Sequence, residues 1–174
     1  MDFDVDRSIE ILRQTPYTLQ RMLDGLSDDW TIDGGGPDDW SPYDVIGHLI
    51  HGEETDWITR AEIILAQGED RRFERLDRLA QFERSKGRSL DDLLIEFIHL
   101  RSINLERLAG WQLTVDQLEL KGIHPVFGEV TLRQLLATWV VHDLNHIRQI
   151  VRFMARKYEA EVGPWKEYLA ILQP

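Results

Sequence analysis

Apolar side chains recur at three- and four-residue steps in four long segments, a spacing that gathers them on one face of an α-helix. The pattern predicts helices over residues 5–26, 42–66, 89–110 and 132–158. No segment alternates convincingly between apolar and polar residues as a half-buried strand does. Because amphipathic helices bury their apolar faces against one another, the pattern predicts an all-α fold and a four-helix bundle.

Several residues mark where these helices begin and end. Ser41 is a good N-cap, Pro42 suits the first helical position, and Thr131 is expected to cap the last helix. Pro16 lies inside the first helical pattern and predicts a kink or the start of a second segment. The remaining segments are expected to be irregular or short: a loop at 27–41 with the glycine run 34–37, a charged stretch at 68–88, a connection at 111–130 and a terminal helix at 165–172.

Length and composition narrow the classes of function. The 174 residues fit one domain, residues 1–174. The 20 basic and 31 acidic residues give a net charge of −11, which repels phosphate backbones, so nucleic acid is not an expected partner. The acidic N-terminus and the lack of a long apolar run predict a cytoplasmic protein without a membrane partner. The chain has no cysteine, so any metal must be bound by imidazole, carboxylate or water.

Two histidines lie four residues apart in the last predicted helix. His142 and His146 project from nearly the same face, and two imidazoles at this spacing can chelate one ion. Apolar positions surround them, where unpaired imidazoles would lose hydration without compensation. The alternative is a pair of histidines that hydrogen-bond to backbone or water, since the motif itself is short.

A third ligand is needed to make this pair a strong metal site. His48 is the best candidate, because it lies beside Val45 and Leu49 on the second predicted helix, with the small residue Gly52 one turn further along. His51 is its rival and is expected to be solvated, because its neighbours are more polar. Three neutral imidazoles that leave positions open to water are typical of a catalytic metal rather than a structural one.

Other polar residues have competing interpretations. Glu96 and His99 form one Glu-x-x-His pair, but a di-iron bundle needs a second such pair, and none is present. His124 either lines the entrance of the site or stabilises a turn. Asp143 and Asn145 could orient the histidine rings, although Asn145 is expected to be exposed.

Three stretches of the sequence resemble one known family. WSPYDVIGHL at 40–49, HPVFGEVTLRQLL at 124–136 and HDLNHIRQI at 142–150 are similar, in order and spacing, to segments of the DinB superfamily, the DinB/YfiT-like metalloenzymes. The resemblance implies a four-helix bundle with an up-down-down-up course. It also implies a divalent metal, commonly zinc or nickel, bound by His48, His142 and His146, and a homodimer.

The resemblance further implies a class of reaction. Some relatives are transferases or isomerases that use a low-molecular-weight thiol such as mycothiol, bacillithiol or glutathione, and others are assigned as metal-dependent hydrolases. We therefore expect a metal-dependent enzyme acting on a small molecule, either a thiol-dependent transferase or a hydrolase. The alternative is a non-enzymatic helical module that binds a metal or another ligand. The sequence identifies no catalytic base and no substrate.

Overall fold

A computed structural model describes residues 1–34, 39–77 and 79–173. Part of the predicted loop, including glycines 35 and 36, lies outside these residues. The helices are α1 (Val5–Leu23), α2 (Asp28–Thr31), α3 (Pro42–Thr55), α4 (Trp57–Ala66), α5 (Ala80–Ser85), α6 (Leu90–Gly110), α7 (Val115–Leu118) and α8 (Leu132–Arg156). Strands β1 (Lys121–His124) and β2 (Gly128–Thr131) form an antiparallel hairpin, and 3-10 turns span Gly163–Tyr168 and Ala170–Leu172.

Two apolar clusters show the course of the bundle. The first cluster joins the beginning of α1, all of α4, the end of α6 and the beginning of α8. The second joins the end of α1, the beginning of α3, the beginning of α6 and the later part of α8. Since α1 and α8 run from the first cluster to the second, and α3–α4 and α6 run the other way, the four-helix bundle has the expected up-down-down-up order.

Some local expectations need correction. The second predicted helix is divided at Asp56, whose φ of −111° and ψ of −79° turn the chain between α3 and α4. The connection 111–130 contains the hairpin, which the pattern missed because each strand has only four residues. The hairpin is held in place by Phe73 and Arg71, whose backbone groups bond to Ile123. Among the described residues, no helix has both the length and the apolar character needed to cross a bilayer.

Pro16 does not begin a second segment, because α1 continues through it to Leu23. A proline has no N–H to bond to the carbonyl four residues earlier, so the carbonyl of Leu12 is left without its usual helical partner. The guanidinium of Arg101, on α6, donates to this carbonyl from Nη1 at 2.8 Å. The proline therefore makes a backbone acceptor available to another helix.

Arg101 is the centre of a buried polar cluster that joins the four long helices. It is 1% exposed, and it bonds to Glu53 on α3 at 2.8 and 3.0 Å and to Asp143 on α8 at 2.6 and 3.0 Å. Asn104 and the indole of Trp139 also donate to Glu53. Burial alone would lower the pKa of Arg101, but Glu53 and Asp143 raise it above its ordinary value, so the side chain stays charged.

We expect Arg101→Met to lower the free energy of unfolding by about 3–5 kcal/mol, because Glu53 and Asp143 would remain buried without a cation. Urea denaturation at pH 7 measures this change. Arg21→Met is the matched control, because Arg21 is exposed in the last turn of α1, where loss of a charge should cost at most about 1 kcal/mol. A loss below about 1 kcal/mol for the Arg101 variant would contradict this account.

Candidate metal centre

Capping interactions fix the starts of the two helices that supply the histidines. At α3, the Ser41 hydroxyl accepts from the Asp44 backbone N–H, and the Asp44 carboxylate accepts from Ser41, with Pro42 at the first helical position. Thr131 and Gln134 form the same reciprocal arrangement at the start of α8. These caps set where each helix begins, and so which residues face the interior.

His48, His142 and His146 converge on one point, as the sequence predicted. His142 Nε2 lies 3.2 Å from His48 Nε2 and 3.1 Å from His146 Nε2. The three candidate ligand atoms all lie within 4.8 Å of one another, and within the described residues this is the one group of three or more potential metal ligands so arranged. His48 and His146 are buried, and His142 is partly exposed. The site therefore lies in the interior but keeps an open side.

The donor set fits a divalent metal. Two imidazole nitrogens bound tetrahedrally at zinc distances of about 2.0–2.1 Å lie about 3.3 Å apart, close to the separations found here. Gln149 Oε1 lies 2.8 Å from Nδ1 of His146. Because an amide oxygen can only accept, Nδ1 of this ring carries the hydrogen and Nε2 turns its lone pair toward the other two histidines.

Aromatic side chains pack around the triad. Trp40 lies against His48, with ring centroids 4.9 Å apart, and Trp57 meets His142 edge-on at 5.0 Å. Trp57 also stacks on Trp139. A Cβ at position 52 would come 3.2 Å from Trp57 Nε1, so Gly52 allows this indole to approach. The glycine thus makes room for a tryptophan beside the site.

The triad opens into a cavity of about 860 Å³. This volume is within the usual range for small-molecule sites, and the mixture of aromatic walls and a few polar groups is also typical. Helices α3, α4 and α8, the segment after α4 and the hairpin all contribute to its walls. Its lining includes Trp40, His48, Asp56, Trp57, Arg60, Phe73, His124, Phe127, Gln134, Thr138, His142, Asn145, His146 and Gln149.

The sequence matches the family model of the DinB superfamily over residues 11–150. The chain belongs to the DinB superfamily. The match covers most of the chain and includes all three histidines, so the family expected from the motifs is confirmed. Among curated proteins, none matches the sequence significantly.

A solved structure has the same fold as this DinB-superfamily chain. YfiT from Bacillus subtilis, described as a probable metal-dependent hydrolase with an unusual four-helix bundle topology, superposes with a TM-score of 0.73. The match has 22% sequence identity and covers 87% of this chain and 86% of YfiT. At this level of sequence identity, the structural similarity shows that the two chains share the four-helix-bundle fold.

The other histidines of this DinB-superfamily chain lie outside the triad. His51 is partly buried, and it neither joins the group of ligands nor lines the cavity. His99 is exposed, and Glu96 pairs with Arg84 and Arg88, so this pair does not build a di-iron site. His124 has both suggested roles: it lines the cavity, and its Nδ1 accepts from two backbone N–H groups of the hairpin turn.

The residues around the triad also differ from expectation. The carboxylate of Asp143 accepts hydrogen bonds from Arg101, a partner that the sequence did not suggest. Asn145 is exposed, as expected, and lines the cavity. Gln149 was missed, although it lies three residues after His146 and so on the same helix face. The spacing could have suggested it, but many glutamines at this spacing are only solvated.

Asp56 was missed as well. This carboxylate lines the cavity, is 6% exposed, and lies 2.7 Å from Nε of Arg60, which is also buried. Burial raises the pKa of Asp56, Arg60 opposes this effect and Glu53 adds to it, so that the pKa is about 6. The carboxyl therefore changes charge near pH 6. Its position depends on the turn between α3 and α4, which the sequence pattern did not reveal.

We expect the carboxyl carbon of Asp56 to titrate with a midpoint near pH 6 when followed by carbon-13 NMR in metal-free protein. Because this pKa lies above the ordinary value of 3.8, the folded state holds the proton more tightly than the unfolded chain. The contribution of Asp56 to the free energy of unfolding is therefore complete below pH 3.8 and is lost as the pH rises through about 6. Exposed Asp92, whose pKa is lowered by Ser89, is the internal control; equal midpoints would contradict the prediction.

Proposed function

We propose that this chain is a metal-dependent enzyme that acts on a small molecule, with one zinc or nickel ion held by His48, His142 and His146. The observation that carries the proposal is the convergence of three imidazole nitrogens from two helices beside an open cavity. Three protein ligands leave a coordination position for a substrate or water, which is the usual arrangement of catalytic sites. When bound, such an ion supplies Lewis acidity and lowers the pKa of a ligand that carries a proton.

The surrounding residues have distinct roles in this proposal. Gln149 fixes the orientation of the His146 ring, and Trp40 and Trp57 exclude water from two sides of the triad. We propose Asp56 as the group that accepts a proton from the nucleophile, because it is the buried carboxylate in the cavity wall. Arg60 keeps that carboxylate in place through its ion pair.

Two reaction classes suit the cavity. Hydrolysis uses water as the nucleophile, and the description of YfiT as a probable metal-dependent hydrolase supports this class. Transfer to a low-molecular-weight thiol is the second class, which the family resemblance supports. The chain contains no cysteine, so the thiol would have to enter the cavity as a substrate.

The net charge of the chain bears on which partners the enzyme can have. A net charge of −11 disfavours nucleic acid and anionic membrane surfaces as partners. The homodimer and the cytoplasmic location stay predictions, which sedimentation and cell fractionation can test.

We expect protein purified without a histidine tag to bind one zinc ion per chain. His48→Ala and His142→Ala should each weaken zinc binding by at least about a hundredfold, because two imidazoles hold zinc much less tightly than three. His51→Ala is the matched control, since it removes a histidine one turn away on the same helix and should leave the affinity unchanged. Competition with a chromogenic chelator measures the zinc affinity of the unaltered protein and of the three variants.

The same proteins distinguish an enzyme from a binding module. A panel of simple esters, amides and thiol-adduct substrates should include one that the zinc-loaded protein turns over. We expect the His142→Ala variant to lose this turnover and the His51→Ala variant to keep it. Unchanged zinc affinity in the His48 and His142 variants would contradict the site. If zinc binds as expected and raises the melting temperature without turnover of any substrate, the binding module is the better description.

A further inference from the structure

A second, smaller depression adjoins the metal cavity along α8. Its volume is about 300 Å³, and Asn145 and Gln149 line both spaces. From there it continues toward the end of the helix past Arg148, Arg152 and Arg156. We call this depression the arginine groove. The spacing of its arginines, four residues apart, places them in one row on the helix surface.

The arginine groove is a cationic region on an acidic protein. Among the described residues, Asp39 is the one carboxylate in its lining, and it lies 3.4 Å from Arg156. Glu159 is the other acid close to the row, but its direct partner is Lys166, which lowers its pKa more than Arg156 and Arg152 do. Within the part of the chain that the structure describes, the three guanidinium groups thus outnumber the carboxylates close to them, although the whole chain has an excess of acid.

Two of the three arginines have capacity for a further acceptor. Arg148 is exposed and forms no ion pair with any residue in the described part of the chain. Arg152 donates from Nη2 to the carbonyl of Gln173, but its Nε is buried and lacks a hydrogen-bond partner among the described residues. A buried donor without an acceptor costs free energy, which an anion lying in the groove would recover.

The helix dipole does not explain this arrangement. Cations stabilise the C-terminal end of a helix, but the effect is confined to about the last turn. Arg156 is the last residue of α8 and fits that explanation. Arg148 lies about two turns earlier, at the border of the metal cavity, so it has no such role.

We propose that the arginine groove binds the oxyanion group, a carboxylate or a phosphate, of a small molecule whose reacting group lies at the histidine triad. Arg152 lies six positions after His146, which corresponds to about 9 Å along the helix. The substrate would then be an elongated anion with about that distance between its two ends. This statement of substrate class depends on the proposed function, whereas oxyanion binding by the groove itself does not.

The first experiment tests the groove alone. Succinate and inorganic phosphate are titrated separately into metal-free and zinc-loaded protein at constant ionic strength, and the side-chain Nε–Hε signals of Arg148 and Arg152 are followed by NMR. We expect saturable shifts of both signals, no shifts with neutral succinamide, and binding weakened by about tenfold in Arg152→Gln, as for loss of a charge-assisted hydrogen bond. A response to only one anion identifies the oxyanion that the groove selects.

The second experiment tests whether one molecule spans both sites. Binding of 6-mercaptohexanoate and of 6-mercaptohexan-1-ol to cobalt-loaded protein is followed by the thiolate-to-metal absorption. The two thiols have nearly the same length and differ in the carboxylate. We expect the carboxylate thiol to bind about tenfold more tightly, with this preference lost in Arg148→Gln and Arg152→Gln and kept in Arg21→Gln.

The outcomes separate the two proposals. Equal affinity of both thiols in the unaltered protein, or a preference that falls equally in Arg21→Gln, would overturn the spanning substrate. Absence of saturable shifts with both succinate and phosphate would overturn the groove as an oxyanion site. Failure of the protein to bind cobalt or zinc would contradict the proposed function while leaving the anion titration of metal-free protein interpretable.

Discussion

The buried guanidinium of Arg101 is the interaction on which the rest of the bundle depends. A charge that is 1% exposed has lost nearly all of its hydration, so it is tolerated only because Glu53, Asp143 and the Leu12 carbonyl replace the water. These partners belong to different helices, and their bonds require the helices to meet at one level. Apolar packing alone tolerates sliding between helices far better than such a set of directed bonds does.

The histidine triad lies next to this cluster. Asp143 directly follows His142, and Glu53 lies five residues after His48 on α3. The Arg101 cluster therefore sets the position of α3 relative to α8 along the bundle axis, and these two helices supply the triad. Trp139 connects the two regions directly, since its indole donates to Glu53 and its ring stacks on Trp57, which contacts His142. Fixed helix register is the physical basis for the short separations between the imidazole nitrogens.

Much of this arrangement was predictable from the sequence. The helical periodicity, the Ser41-Pro42 start and the HxxxH spacing each encode local geometry. The apolar neighbours of His48 made it the best third ligand, and the motifs added the helix order. The turn at Asp56 was not predictable, because the apolar pattern runs through it without a break. The hairpin was not predictable either, because its strands are short and its position depends on backbone bonds to the distant residues Arg71 and Phe73. For the same reason the sequence could not distinguish Asp143 as a partner of Arg101 from Asp143 as a partner of histidine: both roles need an acid on the inner face of α8.

The central claim is that imidazoles from two helices bind one ion, and X-ray absorption at the zinc edge tests it most directly. The zinc-loaded protein should show three imidazole nitrogens at about 2.0–2.1 Å, and His48→Ala should reduce that number to two. A spectrum of the unaltered protein with two or fewer imidazoles, or one that His48→Ala leaves unchanged, would contradict the account.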